Sequence, residues 1–322
     1  MRQFAKPTVV VSKCLEFEAC RYNGDMIHDT TIRNLKPLVT FIPVCPEVEI
    51  GLDIPRETVR IVEKDGIHKL IQPSTKEDMT EKMKQFSDQF LSALPDVDGF
   101  ILKNRSPSCG TRDVKIYSGY ERAPVKGKGA GLFGSAVLKN FSQAAIEEEG
   151  RLSNFIIREH FFTRLFTTAH FKTIKHKKSL KELVSFQSDH KYLFMAYNQM
   201  KQKELGRIIA NHGKDNLESI FENYEKTLYE LLNRTPRYTS NINVCQHIFG
   251  YFKNDLKQQE KEHFLTLLQK YAEKKMPLSN LLVVLKSWAL RFEEHYLLRQ
   301  TYFEPYPEAL IEISDSGKGR DY

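Results

Sequence analysis

Across residues 1–150, short apolar runs alternate with segments whose apolar residues recur every three or four positions. Residues 8–11, 38–44 and 99–103 are apolar runs too short for helices and read as buried strands. In residues 77–94, Met79, Met83, Phe86, Phe90, Leu91 and Leu94 fall at helical spacing, and Pro95 ends the segment. Residues 132–149 read as another helix, with Gly150 as its C-cap. Strands alternating with helices predict an α/β domain with a Rossmann-like parallel sheet.

From residue 152 onward the period is helical. Residues 180–200, 216–232, 244–253, 258–274 and 278–302 carry apolar positions at three- and four-residue spacing, with breaks at Gly213, Pro236, Pro277, Pro305 and Pro307. The expected organisation is an α/β domain over 1–150, an all-α domain over 151–313 and a polar, disordered tail over 314–322. There is no internal repeat and no low-complexity tract.

No apolar stretch approaches the roughly 18 residues of a membrane span. The first residues, Met1-Arg2-Gln3-Phe4-Ala5-Lys6, lack the apolar core of a secretory signal. Five cysteines are too few, and odd in number, for a disulfide framework; reduced thiols in a cytoplasm are expected. The net charge of +7 is unevenly placed: residues 1–150 hold 21 Lys+Arg against 21 Asp+Glu, and residues 151–322 hold 27 against 20. Eight of the ten histidines also lie in the second half. This charge describes either a solvated helical surface or a face for a polyanion such as RNA.

The chemistry concentrates at the ends of the predicted strands. Cys14, Cys45 and Cys109 each follow an apolar run, and Glu47 lies two residues past Cys45. In a parallel sheet, three thiols so placed project from one edge, where open α/β sheets bind ligands. Their separations of 31 and 64 residues leave the fold alone to assemble a site. Thiolates suit zinc and iron–sulfur centres alike, and the spacing does not separate the two. Pro107 and Gly110 shape the segment Arg105-Ser106-Pro107-Ser108-Cys109-Gly110 into a tight loop. Glu47 is a candidate acid/base, and Glu49 and Asp53 are weaker ones. Arg56 is expected to hold an anionic or carbonyl group. Cys20 and Cys245 read as buried small hydrophobes. Gly129-Ala130-Gly131-Leu132-Phe133-Gly134 matches the dinucleotide fingerprint in letters but not in position; it reads as a helix entry whose N–H groups could meet a phosphate. His170, His176 and His190 lack the spacing of a helical metal pair and read as core or surface residues.

At these positions the chain resembles the thiouracil desulfidase family, through Ser12-Lys13-Cys14-Leu15, Arg21-Tyr22-Asn23-Gly24, Cys45-Pro46-Glu47, residues 51–56 and residues 102–110. Lys13 departs from that pattern, in which a small residue is common. The second half resembles the YbgA-type helical domain, through residues 189–196, 243–252 and 300–307. Together the two look like the RNA 4-thiouridine desulfidases. The resemblance implies a [4Fe-4S] cluster on Cys14, Cys45 and Cys109 with one iron open, Glu47 as catalytic acid/base and Ser106 as an assisting hydroxyl. It also implies a thiolated uracil substrate, foremost 4-thiouridine in tRNA. Three rival readings stand beside it: a desulfidase of free thiobases or nucleosides, a non-enzymatic iron–sulfur or zinc sensor of nucleic acid, and, more weakly, a cysteine–histidine hydrolase.

Overall fold

The computed structural model describes residues 2–120, 123–211 and 216–312. Gly213 and the tail over 314–322 lie outside the described residues. The chain divides into two compact units: Ala5–Phe166 with the segment from Ala309, and Thr167–Glu308 with the first residues through Phe4.

Among the described residues the first unit carries nine strands: β1 (Thr8–Ser12), β2 (Thr40–Val44), β3 (Arg60–Lys64), β4 (Ile67–Gln72), β5 (Glu77–Asp78), β6 (Gly99–Leu102), β7 (Val114–Tyr117), β8 (Val125–Gly129) and β9 (Ala145–Glu148). Its helices are α1 (Thr30–Leu35), α2 (Pro46–Glu49), α3 (Thr80–Ala93), α4 (Leu132–Asn140) and α5 (Glu149–Leu152), followed by α6 (Phe155–Lys177), inside which the two units divide.

One sheet has the order β2-β1-β6-β9, with every pair parallel. Its inner strands β1 and β6 are buried almost throughout, as parallel strands covered on both faces must be, which is why they read as unbroken apolar runs. β2 is an edge strand, and an edge tolerates Pro43. Ser12 pairs with Val44, so β1 and β2 end level.

The second sheet, β5-β4-β3-β7-β8, has no counterpart in the sequence reading. It is antiparallel except between β3 and β7. Its β3–β4 hairpin turns on Asp65-Gly66, both at positive φ, the pair that a two-residue hairpin favours.

Two expectations for this unit change. The segment read as one helix over 132–149 is α4, then β9, then α5. β9 was hidden because its carboxylates look like a solvated helix face, yet Glu147 and Glu148 are buried. Gly150 lies inside α5 rather than capping a helix, and a Cβ there would run into the Asn104 side chain. The helix read from 77 begins at Thr80, because Glu77 and Asp78 form β5.

The second unit is helical: α7 (Leu180–Asp189), α8 (Lys191–Ala210), α9 (Leu217–Leu231), α10 (Tyr238–Phe249), α11 (Gln258–Ala272), α12 (Leu278–Arg291) and α13 (His295–Leu298). Phe171, Phe186, Phe194, Tyr224, Phe252 and Phe264 centre its core. The run at 180–200 breaks at His190, and α8 breaks again at Asn198, whose side chain caps Met200 and Lys201. The run at 278–302 breaks after Arg291, with Glu293 at positive φ. Cys245 is fully buried with Tyr302 as its neighbour, and His190 is buried with its Nδ1 on the Phe186 carbonyl at 2.8 Å. Among the described residues no helix is long and apolar enough to cross a membrane.

Candidate active site

The level ends of β1 and β2 place two thiols side by side. Cys14 stands two residues past β1, and Cys45 is the N-cap of α2, directly after β2. The Lys13 N–H donates to the Val44 carbonyl at 2.8 Å and ties the two ends together. Cys109 comes from the loop after β6. All three line one cavity of about 330 Å³, in the range of small-molecule sites. Glu47, Arg56 and Ser106 line it too.

Cys20 lines the same cavity, which its distance along the chain did not suggest. After Cys14 the chain turns back on itself: Leu15 bridges Ile27, the Ile27 N–H meets the Cys14 carbonyl at 2.8 Å, and the Glu18 N–H meets the Lys13 carbonyl. This fold-back brings the Cys20 thiol into hydrogen-bonding contact with Cys14 and Cys45. The contact with Cys14 pushes the Cys20 thiol up to about 11. Cys45 is raised well above an ordinary thiol by its contact with Cys20 and then by burial. Burial raises Cys109. These three thiols hold their protons at neutral pH unless a metal displaces them.

The Cys109 loop is fixed at both ends by consecutive acids at the β9–α5 junction. Glu149 pairs with the Lys103 ammonium and accepts the Asn104 N–H at 2.7 Å. Glu148 accepts both the N–H and the hydroxyl of Thr111, at 2.6 and 2.9 Å. Glu147 faces Arg112 and Arg151. Inside the loop Ser106 Oγ accepts the N–H groups of Ser108 and Cys109 at 3.2 and 3.1 Å. Its oxygen is therefore occupied, and its hydroxyl faces the Cys109 thiol. Ser12 Oγ accepts the Lys103 N–H at 2.9 Å and also hydrogen-bonds the Cys109 thiol.

The glycine-rich segment serves this loop and not a phosphate. Gly131 N–H donates to the Gly110 carbonyl at 2.7 Å, Leu132 N–H to Pro107 at 3.2 Å and Gly134 N–H to Ser108 at 2.9 Å. The start of α4 thus spends these donors on the carbonyls around Cys109. A Cβ on Gly131 would lie 2.7 Å from the Pro107 carbonyl oxygen, which explains why glycine stands there.

Glu47 sits in the first turn of α2 with both carboxylate oxygens engaged. Arg56 Nε and Nη2 donate to Oε2 at 3.0 and 2.8 Å, and Ser108 Oγ donates to Oε1 at 2.9 Å. The anion expected for Arg56 is this carboxylate, and the carbonyls it holds are those of Cys20 and Asp53. Ser108, fully buried, was not singled out by the sequence. Glu49 and Asp53 are exposed and do not line the cavity. Among the described residues no three His, Cys, Asp or Glu side chains converge closely enough to hold a single metal ion. The thiols of Cys14, Cys20, Cys45 and Cys109 line the cavity walls.

A family model described as 2-thiouracil desulfurase matches residues 9–149, and one described as a protein of unknown function, DUF1722, matches residues 191–307. YbbK of Bacillus subtilis (strain 168) is 31% identical over 148 residues, spanning 44% of this chain and 95% of that protein. YbgA of Escherichia coli (strain K12) is 27% identical over 136 residues, spanning 42% of this chain and 80% of that one. Among solved structures, the [4Fe-4S]-dependent thiouracil desulfidase TudS is 24% identical, over 46% of this chain and 93% of its own, with a TM-score of 0.36.

Proposed function

Because the chain belongs to the 2-thiouracil desulfurase family, we propose that it removes sulfur from a thiolated uracil, with 4-thiouridine in tRNA as substrate. The observation that carries this reading is the cavity in which Cys14, Cys45 and Cys109 meet Glu47 and Ser106. Three soft donors around a space fit a [4Fe-4S] cluster with those cysteines as ligands. Cys20 lines the same cavity and stands outside the ligand set that the family resemblance implies. When bound, the cluster would supply an open iron, a Lewis acid for the thiocarbonyl sulfur.

The chain's own residues do the rest. Glu47 takes a proton from water for attack at the ring carbon, or returns one to the ring nitrogen. Ser106 turns its hydroxyl proton from the Cys109 thiol to the charge that develops on attack. In balance, a thiocarbonyl and water become a carbonyl and hydrogen sulfide. No net electrons move, so no nicotinamide is needed. The positive excess in residues 151–322 supports a polyanionic substrate, with the helical unit holding phosphates while the sheet edge does the chemistry. Five free cysteines fit a reducing cytoplasm.

The test is anaerobic reconstitution with iron and sulfide, followed by incubation with tRNA containing 4-thiouridine and, in parallel, with free thiouracil. Loss of the thiobase absorbance with sulfide release from tRNA, abolished in Glu47→Gln, is the expected result. Turnover of the free base alone would move the helical unit to a partner role. A cluster without turnover on either substrate would leave a nucleic-acid sensor as the reading.

A further inference from the structure

The hydrogen bonds around Glu47 account for its carboxylate lone pairs one by one. An ionised carboxylate offers about four acceptor sites, two on each oxygen. Arg56 spends two N–H groups on Oε2, filling that oxygen. Ser108 spends its hydroxyl on Oε1 and fills one of its two sites. Among the described residues one site remains, on Oε1.

Arg56 is itself fixed. Its side chain is 4% exposed, its Nη1 spans the carbonyls of Cys20 and Asp53 at 3.0 and 3.2 Å, and its backbone N–H meets the Tyr22 carbonyl at 2.7 Å. The guanidinium is a rigid fork, so holding it on two carbonyls, with its backbone tied at Tyr22, also sets the plane of the carboxylate it grips.

We propose that Arg56 is the positioning residue of the site and that, together with Ser108, it commits Oε1 of Glu47 as the single atom that exchanges a proton with water or the ring. The proposal rests on the desulfidase reading for what the proton does, but the clamp itself is testable without turnover. Lysine at position 56 keeps the charge and loses the fork, which frees the carboxylate to rotate.

The experiment has two arms. In the first, Arg56→Lys and Arg56→Ala are reconstituted and assayed with 4-thiouridine tRNA. The expected result is a kcat about 100-fold lower, the scale of a catalytic group misplaced by about 1 Å, with KM and iron content unchanged. Added guanidinium should restore part of the kcat of Arg56→Ala, because the vacated space opens onto the cavity. A loss of iron and of melting temperature in step with activity, without rescue, would make Arg56 a structural tie only and overturn the proposal.

In the second arm, the infrared bands of the Glu47 carboxylate are isolated by subtracting the Glu47→Gln spectrum, in the wild-type and Arg56→Lys backgrounds. Two donors on one oxygen and one on the other make the C–O bonds unequal, so the stretching bands should lie further apart in wild type than in Arg56→Lys. Equal separations would overturn the clamp whatever the substrate proves to be. Unequal separations in a protein inactive on every thiouracil would keep the clamp and sink the desulfidase reading instead.

Discussion

Gly134→Ala probes how tightly α4 closes on the cysteine loop. A Cβ at position 134 would lie 2.6 Å from the Cys109 carbonyl oxygen and nearer still to that of Gly110, whereas ordinary contact begins at 3.4 Å. Both obstacles are backbone, so no side chain can swing away. The loop must retreat by at least about 0.8 Å at Cys109, the difference between those two distances, and further at Gly110. That movement strains the Gly134 N–H bond to Ser108 at 2.9 Å and the Gly131 N–H bond to Gly110 at 2.7 Å. Each such bond contributes about 1 kcal/mol net. Overpacking adds about 1–3 kcal/mol, and alanine's better helix propensity returns about 1 kcal/mol. The net loss is about 2–4 kcal/mol, a large part of the roughly 5–15 kcal/mol that holds a domain together. Gly127→Ala is the internal control, since nothing lies within 4 Å of its Cβ; its effect should stay within about 1 kcal/mol. Far-UV circular dichroism melts would read stability, and the iron-to-protein ratio after reconstitution would read the site. A Gly134→Ala protein that melts with the wild type and takes up the same iron would refute the argument from close approach.

Serine in place of Cys14, Cys45 or Cys109 should abolish iron uptake while Cys20→Ser retains it; iron loss in the Cys20 variant alone would redraw the ligand set. Glu149→Gln should lower stability by about 2 kcal/mol, the scale of charge-assisted hydrogen bonds, here to the half-buried Lys103 and to the Asn104 N–H, and a matched pair of denaturation curves checks it. Burial, followed by the nearby Arg164 charge, pushes the His160 imidazole down to about 4. The unfolded chain therefore binds the extra proton first, so this contribution is intact above pH 6.5 and is lost as pH falls from 6.5 toward 4, by up to about 3 kcal/mol. Denaturation of wild type and His160→Gln at pH 7 and pH 4.5 should show the smaller acid loss in the variant.

What was legible in the sequence followed from burial on both faces. The β1 and β6 segments could only be apolar throughout, so their ends, and the cysteines beyond them, stood out. Glu47 was legible by its closeness to Cys45. Cys20 was not, because one short bridge between Leu15 and Ile27 returns it to the site, and no periodicity reports such a bridge. Nor was β9, whose carboxylates imitate a wet helix face while Glu148 is consumed by Thr111, 37 residues earlier. The β3–β4 hairpin did leave a signal in Asp65-Gly66, but its strands are five and six residues long and alternate only in part. The partner of Arg56 was open to chemistry but not to sequence: an anion was expected, and it is a residue of the chain itself.

The acids at the β9–α5 junction also set a ruler. Glu149 pins the loop at Lys103 and Asn104, and Glu148 pins it at Thr111, so the stretch between has a fixed span to cover. The start of α4 closes it from one side through Gly131 and Gly134. One inserted residue would add about 3.5 Å of chain, and with both anchors held and α4 in contact, the slack would spill toward the cavity. Ser106 and Cys109 therefore sit on a segment whose length is as constrained as its composition, and insertions that surface loops elsewhere in the chain absorb should be lethal to this one.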